Sequence, residues 1–175
     1  VKKIKKVLSV SLYILEILIL AYLLSHFVIE RTGVDGRSME NTLFDGDQLI
    51  VDQIGYRFSQ PKRFDIIVFP GKTGDVSYVK RIIGLPGETV RIDAEGVIYI
   101  DEEPLSEHFG KETIKDPGQA AMGIRLREGE YFVLGDNRND SLDSRFSDVG
   151  IVNAQKIIGR VWLRLYPFNR FGKVD

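Results

Sequence analysis

The chain has 175 residues, 43% of them hydrophobic and 28% charged, a balance that suits one folded domain with an appendage and excludes bulk disorder. It has no cysteine, which excludes thiol catalysis, disulfides and thiolate metal sites, and its two histidines are too few for an expected zinc site. The formal net charge of −1 gives no global basic field for nucleic acid, so the partners expected are not nucleic acids and no metal or cofactor is called for.

The chain opens on a basic tail, residues 1–6, VKKIKK, with four lysines and no acid. Residues 7–29, VLSVSLYILEILILAYLLSHFVI, are then mostly apolar, broken by Glu16, His26 and three serines. As a helix rising ~1.5 Å per residue, such a run covers ~35 Å, enough for a ~30 Å hydrocarbon core. The expectation is a cytoplasmic tail (1–6), a transmembrane anchor in the lipid bilayer (7–29) and an extracytoplasmic domain (30–175), because lysines mark the cytoplasmic flank. A cleaved signal peptide and a surface-lying amphipathic helix are the rivals. The first suffers from the length of the run and the lack of a small-x-small cleavage site. Glu16 costs about 2.5–3.5 kcal/mol at mid-membrane.

Beyond residue 30 the pattern turns to short β-like runs between turn residues. DQLIVDQIGYRF follows the turn Asp45-Gly46-Asp47, DIIVF stops at Pro70-Gly71, and VSYVKRIIGL stops at Pro86-Gly87. ETVRI, GVIYIDEEPL, EYFVLGD and IIGRVWLRLYPF follow. Spacing and punctuation of this kind predict an all-β domain of curled sheets or barrels. Residues 106–127 are polar and irregular and read as an insertion or long loop.

Three stretches carry chemistry. DGRSMENTL (35–43) reads as a loop presenting the Ser38 hydroxyl, which is a poor nucleophile until a base takes its proton. With His26 and His108 poorly placed, a lysine made neutral by burial is the alternative, since desolvation can lower its pKa by up to ~3–5. In VSYVKRII (76–83), Lys80 shares one strand face with Val76, Tyr78 and Ile82, and Arg81 shares the other with Val79 and Ile83. Both faces are apolar, so periodicity leaves open which cation is inside. Chemistry favours Lys80, because a guanidinium does not deprotonate. VLGDNRNDSLDSR (133–145) is an apolar strand running into a dense polar loop, either a hairpin capped by Asp and Asn side chains or a set of groups bracing a lysine amine.

Together the anchor, GRSMENTLFDGDQLIV, KRFDIIVFPG, YVKRIIGLPGETV and VLGDNRNDSLDSR closely resemble the type I signal peptidases, the Gram-positive type most of all. The resemblance implies a mainly β fold of curled antiparallel sheets or barrels with one N-terminal transmembrane helix. It implies a membrane-anchored serine endopeptidase that removes signal peptides from exported preproteins with a Ser/Lys dyad and no cofactor. Ser38 matches the nucleophile, Lys80 the general base and Ser141 the hydroxyl that orients the amine. Asp143 and Arg145 match a structural ion pair, and Gly135 and Asp136 begin the same motif. The Ser38 amide would be one oxyanion donor. Where many Gram-negative relatives have a serine as second donor this chain has Gly36, so the partner there would be backbone or water.

The chain departs from the pattern at Asn41, where the family usually has proline, and at Phe64, where it often has glycine. Asn41 is expected to leave the loop looser, and both point to a specialised substrate range. Met39, Leu43, Ile67, Val68, Tyr78 and Ile82 are the candidate substrate-pocket residues, with Met39 expected to be exposed beside Ser38 and to touch substrate or lipid. Trp162, Tyr166, Phe168 and Phe171 either form an interfacial aromatic set or pack the last strand. Two other functions share these features. One is a non-proteolytic assembly factor for exported surface-fibre subunits. The other is a self-cleaving repressor, which the apolar helix in place of a DNA-binding domain disfavours.

Overall fold

The computed structural model describes residues 2–27, 29–72 and 74–174. A helix, α1 (Lys2–Phe27), leads into a β domain. Its strands are β1 (Ile29–Gly33), β2 (Gln48–Asp52), β3 (Ile66–Pro70), β4 (Ser77–Gly84), β5 (Thr89–Ile92), β6 (Ile98–Ile100), β7 (Glu103–Pro104), β8 (Ile124–Arg125), β9 (Glu130–Leu134), β10 (Val152–Asn153), β11 (Gly159–Tyr166) and β12 (Gly172–Lys173). One helical turn, α2 (Gly55–Phe58), follows β2.

The strands form a larger sheet in the order β1-β2-β11-β3-β4-β9-β10, with β12 also on β11, and a smaller sheet in the order β7-β6-β5-β8. Every pairing is antiparallel, so the expected mainly β, antiparallel class holds. The continuous apolar runs explain the centre of the larger sheet: β3 is buried over Ile66–Phe69 and β4 from Lys80 to Gly84. The hairpin β3–β4 sets Ile67 opposite Lys80 and Val68 opposite Val79. β4 then pairs with β9, with a bulge between Ile82 and Gly84, and the chain leaves for the smaller sheet. Glycine is required at that exit, since a Cβ on Gly84 would fall 2.3 Å from Val90 Cγ2.

Two expected features take a different form. The run 47–58 is broken after β2, because Asp52 Oδ1 accepts from the amides of Ile54 (3.1 Å) and Gly55 (2.8 Å) and turns the chain into α2. The 106–127 segment contains a 3₁₀ turn (Gly118–Met122) and β8, and it buries Ile114, Ala120 and Leu126 against β5, β6 and β9 residues.

Among the described residues no helix is long and apolar enough to cross a membrane. The expected anchor runs on through residues 20–29, whose side chains lie outside the described residues. Those from Ser9 to Ile19 are all exposed.

Candidate active site

Ser38 sits on the irregular connection between β1 and β2. That loop is closed at its base by Val34 N–H donating to Asp47 O (2.8 Å) and tightened by Leu43 N–H donating to Met39 O (2.8 Å). β4 carries Lys80 to the same place. Lys80 Nζ lies 2.7 Å from Ser38 Oγ and donates to Val79 O at 3.0 Å. The lysine is 2% exposed. Burial is the dominant influence on its amine and lowers the pKa to about 8, against the opposing pull of the Asp143 and Asp136 carboxylates. The protonated form still dominates at pH 7 and the neutral form reaches half near pH 8; a neutral amine at this distance can take the hydroxyl proton.

The question of which cation faces inward has the answer that both do. Arg81 is fully buried on the opposite face of β4, where its Nε and Nη2 each donate to Asp136 at 2.9 Å. Thr42 Oγ1 donates to the same carboxylate at 2.6 Å and accepts from Arg81 at 3.1 Å. This pair ties the strand of Lys80, the loop of Ser38 and the turn after β9 into one unit. Sequence reasoning named Asp136 and missed its partner; the apolar neighbours of Arg81 were the available signal.

The loop 135–145 grips the Ser38 loop from the other side. Asn137 donates through its amide to Ser38 O (3.0 Å) and through Nδ2 to Arg37 O (3.1 Å). Gly135 passes so close that a Cβ there would lie 2.4 Å from Ser38 O and 2.2 Å from Ser141 Oγ. Asp143 and Arg145 form a buried two-point ion pair at 2.8 and 2.9 Å, and Asp143 also accepts from the Gly135 amide at 3.1 Å. Ser141 Oγ is buried without a hydrogen-bond partner, and the hydrogen bonds of Lys80 Nζ go to Ser38 and Val79.

Gly36, at φ +95°, donates its amide to Asp45 Oδ1 at 2.9 Å, so that N–H is already committed. Asn41 is not loose. Its φ of +110° is closed to proline, which is fixed near −65°, and its Nδ2 donates to Phe109 O at 3.0 Å. Phe64 likewise occupies the left-handed region, at φ +73°, which favours glycine.

A cleft of about 230 Å³ opens beside Ser38 and Lys80, lined in part by Val34, Met39, Val76, Tyr78 and Leu142. Of the six candidate pocket residues it takes in Met39 and Tyr78. Leu43 and Val68 pack in one core cluster, and Ile67 and Ile82 in another. Met39 is buried rather than exposed, at 1%, so it forms a wall of the cleft and is withdrawn from lipid. Trp162, Tyr166, Phe168 and Phe171 are all exposed, against the alternative that they pack the last strand. Among the described residues no group of three or more His, Asp or Glu gathers in a way that could hold a metal ion.

Over residues 7–166 the chain matches the family described as signal peptidase, peptidase S26. It is 37% identical over 166 residues to a signal peptidase I of Bacillus licheniformis, covering 90% of this chain and 87% of that one. It is 39% identical over 165 residues to a signal peptidase I of Leptolyngbya laminosa, covering 89% and 78%. A solved signal peptidase I from Enterococcus faecalis, 36% identical, covers 58% of this chain and 97% of its own, with a TM-score of 0.49. The chain belongs to the signal peptidase family S26 and is a serine peptidase, a hydrolase.

Proposed function

We propose that Ser38 and Lys80 form the catalytic dyad of a membrane-anchored signal peptidase that removes signal peptides from exported preproteins. The observation that carries this reading is the 2.7 Å approach of Ser38 Oγ to the buried, easily neutralised amine of Lys80. Neutral Nζ takes the Oγ proton as Oγ attacks the scissile carbonyl. The oxyanion is met by the Ser38 amide. With the Gly36 amide held by Asp45, the second donor is a water or another group in the cleft. The lysine then protonates the leaving amine, the acyl-enzyme forms, and the same amine takes a proton from the water that hydrolyses it.

Ser141 turns its unpartnered hydroxyl to the amine during turnover, and the Asp143–Arg145 pair holds that loop. The substrate lies extended along the cleft, with small residues at the first and third positions before the cut.

The anchor reading is supported by α1 itself. Apolar side chains from Val10 to Ile19 are uncovered all round the helix, a surface that only lipid or protein could bury. The basic tail orients residues 1–6 to the cytoplasm and the β domain outward, and the exposed Trp162, Tyr166, Phe168 and Phe171 rest at the membrane interface.

The test is cleavage of a signal-peptide-bearing preprotein by the full chain in detergent. Ser38→Ala and Lys80→Ala should each abolish it. Undiminished turnover by either variant overturns the dyad, and failure of the unaltered chain on secreted and pilin-type precursors favours the assembly-factor reading.

A further inference from the structure

The two residues where the chain leaves the family pattern, Asn41 and Phe64, lie far apart in sequence, yet both reach Phe109. Asn41 donates to its carbonyl at 3.0 Å, and the Phe64 ring packs on its ring with centroids 5.0 Å apart. The guanidinium of Arg81, the neighbour of Lys80, stacks on that same ring at 3.7 Å. Phe109 thus holds the loop of Ser38 through its carbonyl and the strand of Lys80 through its side chain.

The segment around it is built to stay in place. Glu107 accepts from the amides of Phe109 (2.7 Å) and Gly110 (3.3 Å) and pairs with Arg138 at 2.8 Å. Lys111 donates through its backbone to Asp136 O at 2.8 Å and through Nζ to Glu40 at 2.8 Å, two residues past Ser38. Asn41 and Phe64 both hold backbone angles that non-glycine residues rarely adopt. Such conformations persist only where their surroundings over-determine them, and here both are braced against one residue, Asn41 on the Phe109 carbonyl and Phe64 on its ring.

We propose that Glu107–Lys111 is a strap that sets the distance between Ser38 and Lys80, with Phe109 its central positioning residue and Asn41 the contact through which it acts on the Ser38 loop. This deepens the dyad reading and rests on it. None of Glu107–Lys111 lines the cleft beside Ser38; the strap acts by holding two reacting groups from separate elements in register.

The test uses the full chain in detergent with two variants. Asn41→Gly keeps the backbone angle accessible and removes only the amide, so it is not expected to unfold the domain. Phe109→Leu removes the ring, and Phe109→Tyr is the conservative control. For Asn41→Gly and Phe109→Leu, kcat on a preprotein should fall about 10- to 100-fold with KM unchanged, while Phe109→Tyr stays near the unaltered chain.

A second readout is independent of proteolysis. The chain has no cysteine, so Ser38→Cys introduces a single thiol whose alkylation by iodoacetamide can be followed against pH. Adding Asn41→Gly should move that alkylation profile to higher pH, as the thiol loses its amine neighbour. Unchanged kcat in both variants, losses confined to KM, or an unmoved alkylation profile would overturn the strap. Preprotein cleavage that survives Ser38→Ala would instead overturn the dyad reading.

Discussion

Lys80 is the residue on which pH acts most directly. Its amine is neutral above about 8, so kcat should rise with pH through an acid limb centred there, well below the ordinary lysine value of 10.5. Rate profiles measured from pH 6 to 10 check this. The same burial costs stability. The unfolded chain binds one more proton than the folded chain between about pH 8 and 10.5, so stability should climb with pH across that window, and the full penalty stands below it. Lys80→Met, which removes the charge and keeps the volume, should therefore be inactive yet more stable at pH 7, by on the order of 3 kcal/mol at most, with the gain fading between about pH 8 and 10.5. Urea unfolding at pH 7 and pH 10.5 measures both halves of that statement.

At the scale of elements, the site is a meeting of three irregular connections on one two-sided strand. β4 presents an amine to one side and a guanidinium to the other, and Arg81–Asp136 is the buried joint that brings the Ser38 loop and the 135–145 loop against it. Asp136→Asn removes the counter-charge of a fully buried arginine and should cost about 3–5 kcal/mol of unfolding free energy in denaturant titration. Gly135→Ala drives a methyl between Ser38 O and Ser141 Oγ. It should reduce turnover by a larger factor than its effect on the melting temperature suggests, because the displaced atom is the carbonyl of the proposed nucleophile; kinetics paired with calorimetry would show it.

This is also the scale at which legibility of the sequence changes. Runs such as DIIVF and VSYVKRIIGL announce β3 and β4 because Pro-Gly pairs end them, and GDNRNDSLDSR announces its loop by composition. Strands of two residues, β7, β8, β10 and β12, carry no period to read. The pocket candidates did not separate wall from core because β3 and the later part of β4 are buried on both faces, so alternation no longer distinguishes the cleft at Tyr78 from the two cores that take Ile67 and Val68. The partners of Asn41 and Phe64 were invisible because they belong to a segment more than forty residues away that shows no pattern of its own.

For the whole molecule, the exposed apolar side chains of α1 and the exposed aromatic residues of β11 and beyond are the features that the proposed membrane anchoring would cover. A chain lacking residues 2–27 should keep its fold, since among the described residues α1 shares no buried cluster with the domain, and should remain in the aqueous phase when mixed with anionic vesicles and sedimented. The full chain should pellet with them. The C-terminus is held by a different device: fully buried Asp47 takes Arg164 at 3.0 Å and Arg170 at 2.8 Å. This clasps β11 and the turn after it onto the base of the Ser38 loop.

The adjacency of Lys80 and Arg81 carries a last implication. Because successive side chains of a strand point to opposite faces, misalignment of β4 by a single step would exchange the two cations. A permanently charged fork would then confront the serine, while a lone ammonium would be left beside Asp136 and Phe109. Such a chain could bury as much apolar surface as the native one and still never cut. An inserted or deleted residue in the turn between β3 and β4 should therefore be more damaging than most substitutions inside the strands.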